Sequence, residues 1–591
     1  MTAQRERVGF VVLAMLAGLY VVLRAALVPW VHDECASLYW FVERGEYMPF
    51  QAHWDANNHV LSSAIGTWAY RLAGLGLFVS RIGSVLAFVV YAWAAYHLGR
   101  RVQDDIVRWC LWAALLGCPF VIEFFSLFRG YGLEVAFWLV AIEGLLRLTE
   151  AWRTRHLGHV LVALFLANAA VLALLPLWAL VVASLGVFFV RSWNVLSTTP
   201  ARLQQVVAYM LLGVVPLLLG VAIAFELRAQ GLLYHGSTEG FRAVTVSSLM
   251  YYVFHAEGMG VHLFVMLVAV LATLAVVFHK GDRRALLVVS ALLWADVLMR
   301  IAMAHFLHVN YPKDRAAIHL VPLFILVFAY GVDAARLRWP SLRWAALLLL
   351  AFPLRLLFTM NTTVTSIWPE QAVPKALLEQ MATSEGEAPA IIGAYHQLQL
   401  VVPYGARLHG LRVPPMHWEG FPNERYDRVL VDERMGNADR AAFGIITQAP
   451  LNGLVLMERE QPLQWIRERE HRVPVADVQQ EFIELWRGDT LKDERDRVLE
   501  VEGTLGSVGV FAAPELVSTV KGPQGDLFYQ PVPFALERPI WNGERFVRRI
   551  LVPARSGATG RVVYIWNVRR QALHFDHLNV IVYSEPQDTL R

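Results

Sequence analysis

Residues 8–40 read VGFVVLAMLAGLYVVLRAALVPWVHDECASLYW, a long apolar run that ends directly on His32, Asp33 and Glu34. A run of this length crosses about 30 Å of hydrocarbon as a helix, so the acidic pair is expected where the hydrocarbon stops. Arg5 and Arg7 precede it as in a secretory signal, but the run is long and lacks a small-residue cleavage site, which favours an uncleaved first span.

The rest of the chain extends this pattern. Of 591 residues 56% are hydrophobic and 17% charged, with a mean hydropathy of +0.44, too apolar for a soluble protein of this size. Apolar runs recur to about residue 360 and then cease; the remainder, rich in Glu, Arg, Asp and Pro, has ordinary polarity. The net charge of +3 is small and its basic residues are scattered among the inter-span loops, which excludes a nucleic-acid surface. Three cysteines, Cys35, Cys110 and Cys118, are too few for a disulfide framework.

Lys and Arg stay on the cytoplasmic side of a membrane. Arg5 and Arg7, Arg100, Arg101 and Arg108, Arg147, Arg153 and Arg155, Arg191 and Arg202, Lys280, Arg283 and Arg284, and Arg336, Arg338 and Arg343 accordingly mark cytoplasmic loops. Alternation then permits one crossing between residues 59 and 99, where two apolar runs lie. Residues 59–79, Gly-rich and interrupted by Arg71, are read as interfacial; a full crossing there would invert the later loops. The result is a polytopic α-helical protein with about eleven crossings: 8–30, 81–99, 106–125, 131–149, 157–173, 176–190, 206–226, 259–279, 284–303, 316–335 and 343–360. The expected domains are 1–360 in the membrane, 361–388 as linker and helix, 389–475 as a small α/β unit, and 476–591 as a β-rich, sandwich-like domain. The strands of the last two are read from stretches such as YDRVLVDE (426–433) and RVVYIWNV (561–568), the C-terminal region is placed outside the cytoplasm, and Trp541, Tyr564 and Trp566 are its candidate sugar-stacking aromatics.

This topology brings three charged stretches to the outer face. The first is Asp33-Glu34 with the following EYMPFQAHWDANNHVLSS (46–63), which adds His53, Asp55, Asn57, Asn58 and His59. The second is SLFRGYGLE (126–134), with Arg129, Tyr131 and Glu134 at the start of a span. In NYPKDRAAIHLVP (310–322), Lys313 and Arg315 occupy a corresponding position. A single arginine at a span end ordinarily snorkels to headgroups; two basic sites on one face invite an anion. Asp296 and Arg300, four residues apart, are expected to form an intrahelical ion pair.

In this order the stretches resemble the GT-C superfamily of integral-membrane glycosyltransferases, in particular the group of aminoarabinose transferases, protein O-mannosyltransferases and rhizobial core glycosyltransferases. Asp33-Glu34 looks like the family's acidic pair after the first span, and NNHVL (57–61) is similar to its His-Pro-Pro-Leu element with Val60 and Leu61 in place of the prolines. SLFRGYGL resembles its Arg-x-Tyr element and YPKDR its late basic motif. The resemblance covers roughly the first 330 residues.

It implies transfer of a sugar from a polyprenyl-phosphate donor to an acceptor hydroxyl of a glycan, lipid or protein at the outer face of the inner membrane, with inversion. Asp33 would be the general base and Glu34 its catalytic neighbour; Arg129, Lys313 and Arg315 would bind the donor phosphate; Asn58, His59, Tyr131 and Asp55 would bind substrate. His32, Asp33, Glu34, His53, Asp55 and His59 offer nitrogen and oxygen ligands for a divalent ion, but without compact ligand spacing no required metal or other cofactor is expected. The competing reading is a transporter or flippase of lipid-linked saccharides, which would place its ionisable site near the bilayer midplane.

Overall fold

A computed structural model describes residues 3–192, 199–277, 283–383, 389–419, 421, 425–433, 442–449, 452–474, 477–488, 495–506 and 511–586. Parts of two loops read as cytoplasmic, 193–198 and 278–282 with Lys280, lie outside them. The chain divides into a helical unit, residues up to 28 with 45–362, and a second unit made of 29–44 with 363 onward. The expected membrane domain of residues 1–360 is therefore interrupted: the segment that carries Asp33 and Glu34 packs with the C-terminal region.

In chain order the helices to residue 150 are α1 (Ala3–Leu27), α2 (His32–Ser37, in the second unit), α3 (Val60–Ala73), α4 (Leu77–Gly99), α5 (Asp105–Gly117), α6 (Pro119–Phe124) and α7 (Gly130–Glu150). There follow α8 (Thr154–Ala170), α9 (Leu175–Ser192), α10 (Thr199–Ala208), α11 (Val215–Ala229), α12 (Ser247–Phe254), α13 (Met259–Leu274), α14 (Arg284–Leu307), α15 (Leu320–Ala335) and α16 (Ala351–Thr359). Among the described residues, seven helical stretches are long and apolar enough to cross a membrane: Gln4–Leu27, Leu77–Gly99, Leu172–Val190, Arg202–Ala229, Met259–Val277, Arg284–Leu307 and Pro340–Thr359. Their outward faces carry Leu16, Leu219, Phe225, Phe264 and Phe358, all exposed, as contact with lipid requires and contact with water would penalise.

The count of about eleven is not reached by length and composition alone, for identifiable reasons. The expected span 106–125 is broken between Gly117 and Pro119, where Cys118 is extended and Pro119 opens a new helix. α7 carries Glu134, Glu143, Arg147 and Glu150; α8 and α15 have only 17 and 16 residues.

Side-chain bonds fix the ends of the bundle. At one end, Glu6 of α1 accepts from Arg100 and Arg108, Arg101 binds Glu143 of α7 at 3.0 Å, and Asp333 of α15 accepts from the backbone amides of Gln103 and Asp104 at 3.0 and 3.1 Å. At the other, buried Arg81 of α4 donates to the last carbonyls of α1, Ala25 and Val28, at 3.2 and 2.6 Å, while Arg24 pairs with Glu123 at 3.2 Å and donates to the Asn361 carbonyl at 2.7 Å. α3 spans about 21 Å by its 14 residues. His59 at its start contacts the end of α8, and Arg81, a few residues past its close, contacts the end of α1, so both ends of α3 lie at this same end of the bundle.

In the second unit, α17 (Lys375–Met381) and α18 (Leu398–Leu408) accompany a five-stranded sheet ordered β2-β1-β3-β5-β4, from β1 (Ile392–Ala394), β2 (Met416–His417), β3 (Arg428–Asp432), β4 (Phe443–Gln448) and β5 (Leu454–Arg459). The parallel β1–β2 pair is joined through α18. β6 (Ile466–Arg472), β7 (Asp477–Val478), β8 (Phe482–Gly488), β9 (Arg497–Leu505), β10 (Glu515–Gly522), β11 (Gly525–Pro533), β12 (Glu544–Val552), β13 (Gly560–Trp566) and β14 (Leu573–Ser584) form two antiparallel sheets, β11-β10-β13-β8 and β12-β9-β14-β6, with β7 on β14. β6, inside the stretch 389–475, thus pairs with the last strand of the sandwich. Period-two patterning builds the core: Leu499, Val501, Val580 and Val582 of one sheet meet Leu516, Val563 and Ile565 of the other. The opposite face of the first sheet, with Val498 and Leu551, packs on Val429, Val431 and Val455 of the α/β layer. Trp541, read as exposed, is fully buried against Phe534 and Phe546; Tyr564 and Trp566 flank Phe482, which is exposed.

Candidate active site

In the helical unit, three separate stretches of sequence converge on the first turn of α7. Arg129, its N-cap, is extended and 2% exposed; the peptide N–H groups of Gly130, Tyr131 and Gly132 follow it, at the positive end of a 21-residue helix with no acid in its first turn. Glycines are needed here. A Cβ on Gly130 would meet the Ala170 carbonyl and stand 3.0 Å from His59 Cβ, and one on Gly132 would stand 2.7 Å from the Phe124 carbonyl oxygen. Close approach of α7 to α8 and α6 is what places Arg129 beside the 55–59 loop.

That loop is shaped by its own side chains. The Asp55 carboxylate accepts from the Asn57 amide at 2.8 Å, and Asn58 donates to the Tyr47 carbonyl at 3.2 Å while accepting from Ser63 at 3.3 Å. Arg129 donates through Nη1 to the side-chain oxygen of Asn57 and holds its guanidinium 5.7 Å from the Tyr131 ring centroid. The His59 ring meets Tyr131 edge-on at 5.0 Å, and its Nδ1 lies 3.0 Å from the Ala170 carbonyl. A carbonyl accepts only from a protonated Nδ1, so neutral His59 presents its lone pair at Nε2. Of the expected substrate residues, His59 and Tyr131 therefore sit with Arg129; Asp55 and Asn58 build the loop; Asn57, one position before Asn58, makes the arginine contact.

The third basic stretch connects α14 to α15. Lys313 is exposed, and Arg315 is half-buried with Nη1 3.5 Å from Asp314. Asp314 has a φ of +45° and its backbone N–H donates to the Ser248 hydroxyl at 2.8 Å, while Thr245 donates to the Pro312 carbonyl at 2.7 Å. Four residues beyond Arg315, fully buried His319 has Nε2 3.3 Å from Asp296 and Nδ1 3.9 Å from Glu134. The expected Asp296–Arg300 pair forms at 2.7 Å, and Arg300 also reaches the Ala173 carbonyl at 2.8 Å. This quartet of Glu134, Asp296, Arg300 and His319 links the first turn of α7 to the 313–319 segment. Neither carboxylate oxygen of Glu134 has a hydrogen-bond partner among the described residues. The sequence signal for His319 was weak: one histidine entering an apolar run.

In the second unit, Asp33 and Glu34 occupy the first turn of α2, which continues as a π-helical turn, Leu38–Val42. Glu34 is fully buried, and its Oε2 accepts from the Val31 amide at 3.1 Å, a capping role. Asp33 is half-buried. His32 beside it donates its backbone N–H to Gln371 at 2.8 Å and brings Nδ1 2.9 Å from the Gln397 carbonyl. His396, 5.4 Å away between ring centroids, has its pKa lowered by burial and by His32. Among the described residues no three His, Cys, Asp or Glu side chains gather as metal ligands; His53 is exposed.

No family model matches the chain, and no curated protein matches it in sequence. Solved structures do resemble it. ArnT from Cupriavidus metallidurans, bound to undecaprenyl phosphate, shares 12% identity over 77% of this chain and 98% of that one, with a TM-score of 0.42. Arabinosyltransferase EmbB from Mycobacterium smegmatis shares 11% over 97% and 64%, with a TM-score of 0.39, and mycobacterial arabinofuranosyltransferase AftD 11% over 98% and 61%, with a TM-score of 0.40. All three are GT-C glycosyltransferases, the group that the motifs resemble.

Proposed function

We propose that the protein is an integral-membrane glycosyltransferase that moves a sugar from a polyprenyl-phosphate donor to an acceptor hydroxyl at the extracytoplasmic face of the inner membrane. The observation that carries this reading is the assembly of Arg129 with Asn57, His59 and Tyr131 on the N-terminus of α7, a buried cationic site at the end of a bundle whose outer surface is made for lipid. Eleven crossings accompany it: the seven long stretches together with α5–α6, α7, α8 and α15, with α3 interfacial.

In the reaction the acceptor oxygen attacks the anomeric carbon as the bond to the phosphate oxygen breaks, and configuration inverts. The hydroxyl proton passes to the carboxylate of Asp33; the bonding pair leaves with the lipid phosphate, whose added charge Arg129 and Arg315 stabilise, with Lys313 contributing from the exposed loop. His59 and Tyr131 bind the sugar, Asp55 and Asn58 support them, and Glu34 serves by capping the helix that carries Asp33. None of these roles requires a metal ion.

The test is incubation of the purified full-length protein with a panel of polyprenyl-phosphate sugars, scoring release of carrier phosphate. Release that Asp33→Asn abolishes without loss of folding is the expected result; wild-type turnover by Asp33→Asn ends the assignment of the base.

One observation favours a second reading, transport of a lipid-linked saccharide: Asp296 lies midway along α14, buried with Arg300, His319 and Glu134. Translocation of the donor in proteoliposomes without release of carrier phosphate would decide for it.

A further inference from the structure

The segment 29–44 is anchored in the C-terminal unit at both of its ends. Near its start, the His32 amide donates to Gln371 at 2.8 Å, the His32 ring approaches the Gln397 carbonyl at 2.9 Å, and Trp30 packs edge-on to Tyr404 at 6.3 Å. Near its close, fully buried Glu43 receives Arg407 at 2.6 and 3.3 Å and the Tyr404 hydroxyl at 2.7 Å. The next residue, Arg44, lays its guanidinium over Trp40 at 4.2 Å and Phe511 at 5.0 Å. Between these anchors lies α2, six residues long, with Asp33 second in its first turn.

An isolated helix of that length is not stable in water, because nucleation costs more than so few hydrogen bonds return. The conformation of Asp33 is therefore imposed by what grips the segment. A carboxylate that must align with a hydroxyl loses much of its effect on a displacement of about 1 Å.

We propose that the C-terminal unit is a working part of the catalytic machinery, with Gln371 and Arg407 as positioning residues that set the orientation of Asp33 through His32 and Glu43. This rests on the assignment of Asp33 as general base. Gln371 holds the backbone one residue from Asp33, and Arg407 closes the far end of the segment by a two-nitrogen contact with the buried Glu43 carboxylate.

The experiment compares full-length Gln371→Ala, Gln371→Glu, Arg407→Ala and Arg407→Lys by two readouts. Steady-state turnover of a polyprenyl-phosphate sugar is one. The other is the alkylation rate of the Cys35 thiol, fully buried in α2, followed on its own peptide by mass spectrometry. Gln371→Ala is expected to lower kcat about tenfold with donor KM within about twofold, Gln371→Glu to restore kcat by keeping the acceptor oxygen, and Arg407→Ala to exceed the Gln371→Ala loss. Alkylation of Cys35 should rise at least about tenfold in Arg407→Ala and less in Arg407→Lys. Combined with Asp33→Asn, Gln371→Ala should add no further loss. Unchanged kcat in Gln371→Ala and Arg407→Ala, or Cys35 protection equal to wild type in both, overturns the positioning role while leaving the base assignment standing. An active Asp33→Asn with Cys35 newly reactive in Arg407→Ala overturns the base and leaves the anchoring intact.

Discussion

The two ends of the helical unit use charge in different ways. At the end marked by Glu6, charges close on one another: Glu6 takes Arg100 and Arg108, Glu143 takes Arg101 and Arg147 at 3.0 and 2.8 Å, and Asp333 takes Arg336 at 2.8 Å. At the end marked by Arg129, the contacts include an amide, a ring and a backbone carbonyl, and Lys313 is exposed. A closed pair, Arg24 with Glu123, braces that second end. Closed carboxylate networks satisfy buried ions and hold helices in place; a guanidinium seated at a helix N-terminus adds its charge to the helix dipole at a place where an anion is stabilised.

The comparison breaks most decisively at Arg129. Arg129→Ala is expected to lower donor turnover by about a thousandfold, and Arg129→Lys, which keeps the charge without the fork, by about a hundredfold, measured as carrier-phosphate release with the melting temperature nearly unchanged. Arg108→Ala should do the opposite, costing about 2 kcal/mol of stability in thermal unfolding in detergent while kcat of the folded fraction holds, because it leaves the buried Glu6 carboxylate with Arg100 and removes a donor to the Val102 and Gln103 carbonyls. A thousandfold activity loss in Arg108→Ala would erase the distinction between the two ends.

Smaller effects sharpen it. Glu134→Gln keeps the shape of the quartet but removes an ionisable carboxyl beside His319, and is expected to reduce kcat about tenfold, with a matching loss in His319→Gln and no additional loss in the double variant. Lys313→Ala, at an exposed side chain, should raise donor KM only about threefold, an effect that fades as salt increases.

Much of this was legible in local pattern. Apolar runs located the long helices, and Arg71 with the glycines near it marked α3 as a shorter helix of 14 residues. Arg129 and Tyr131 were conspicuous as polar groups opening an apolar helix. The break at Pro119 was also written in the chain and is a matter of residue chemistry, since the residue before proline is driven from helical geometry. The quartet was only half legible: Asp296 and Arg300 sit one helical turn apart, whereas Glu134 and His319 join them from two other helices. Trp541, in the connection before β12, shows the limit of composition, since the same aromatic serves a core or a surface according to what covers it.

Side-chain type, periodicity and the order of charged stretches alone determined that this chain enters a membrane, carries a β-rich C-terminal region and holds acidic and basic groups at span ends, because hydrophobic burial and backbone satisfaction act over a few residues at a time. Tertiary structure alone decided that Asn57 meets Arg129 across 72 positions, that His319 closes the buried quartet, and that the helix carrying Asp33 is held by Gln371 across 339 positions. Such contacts depend on which faces of distant elements come together, and no local pattern of residues encodes that.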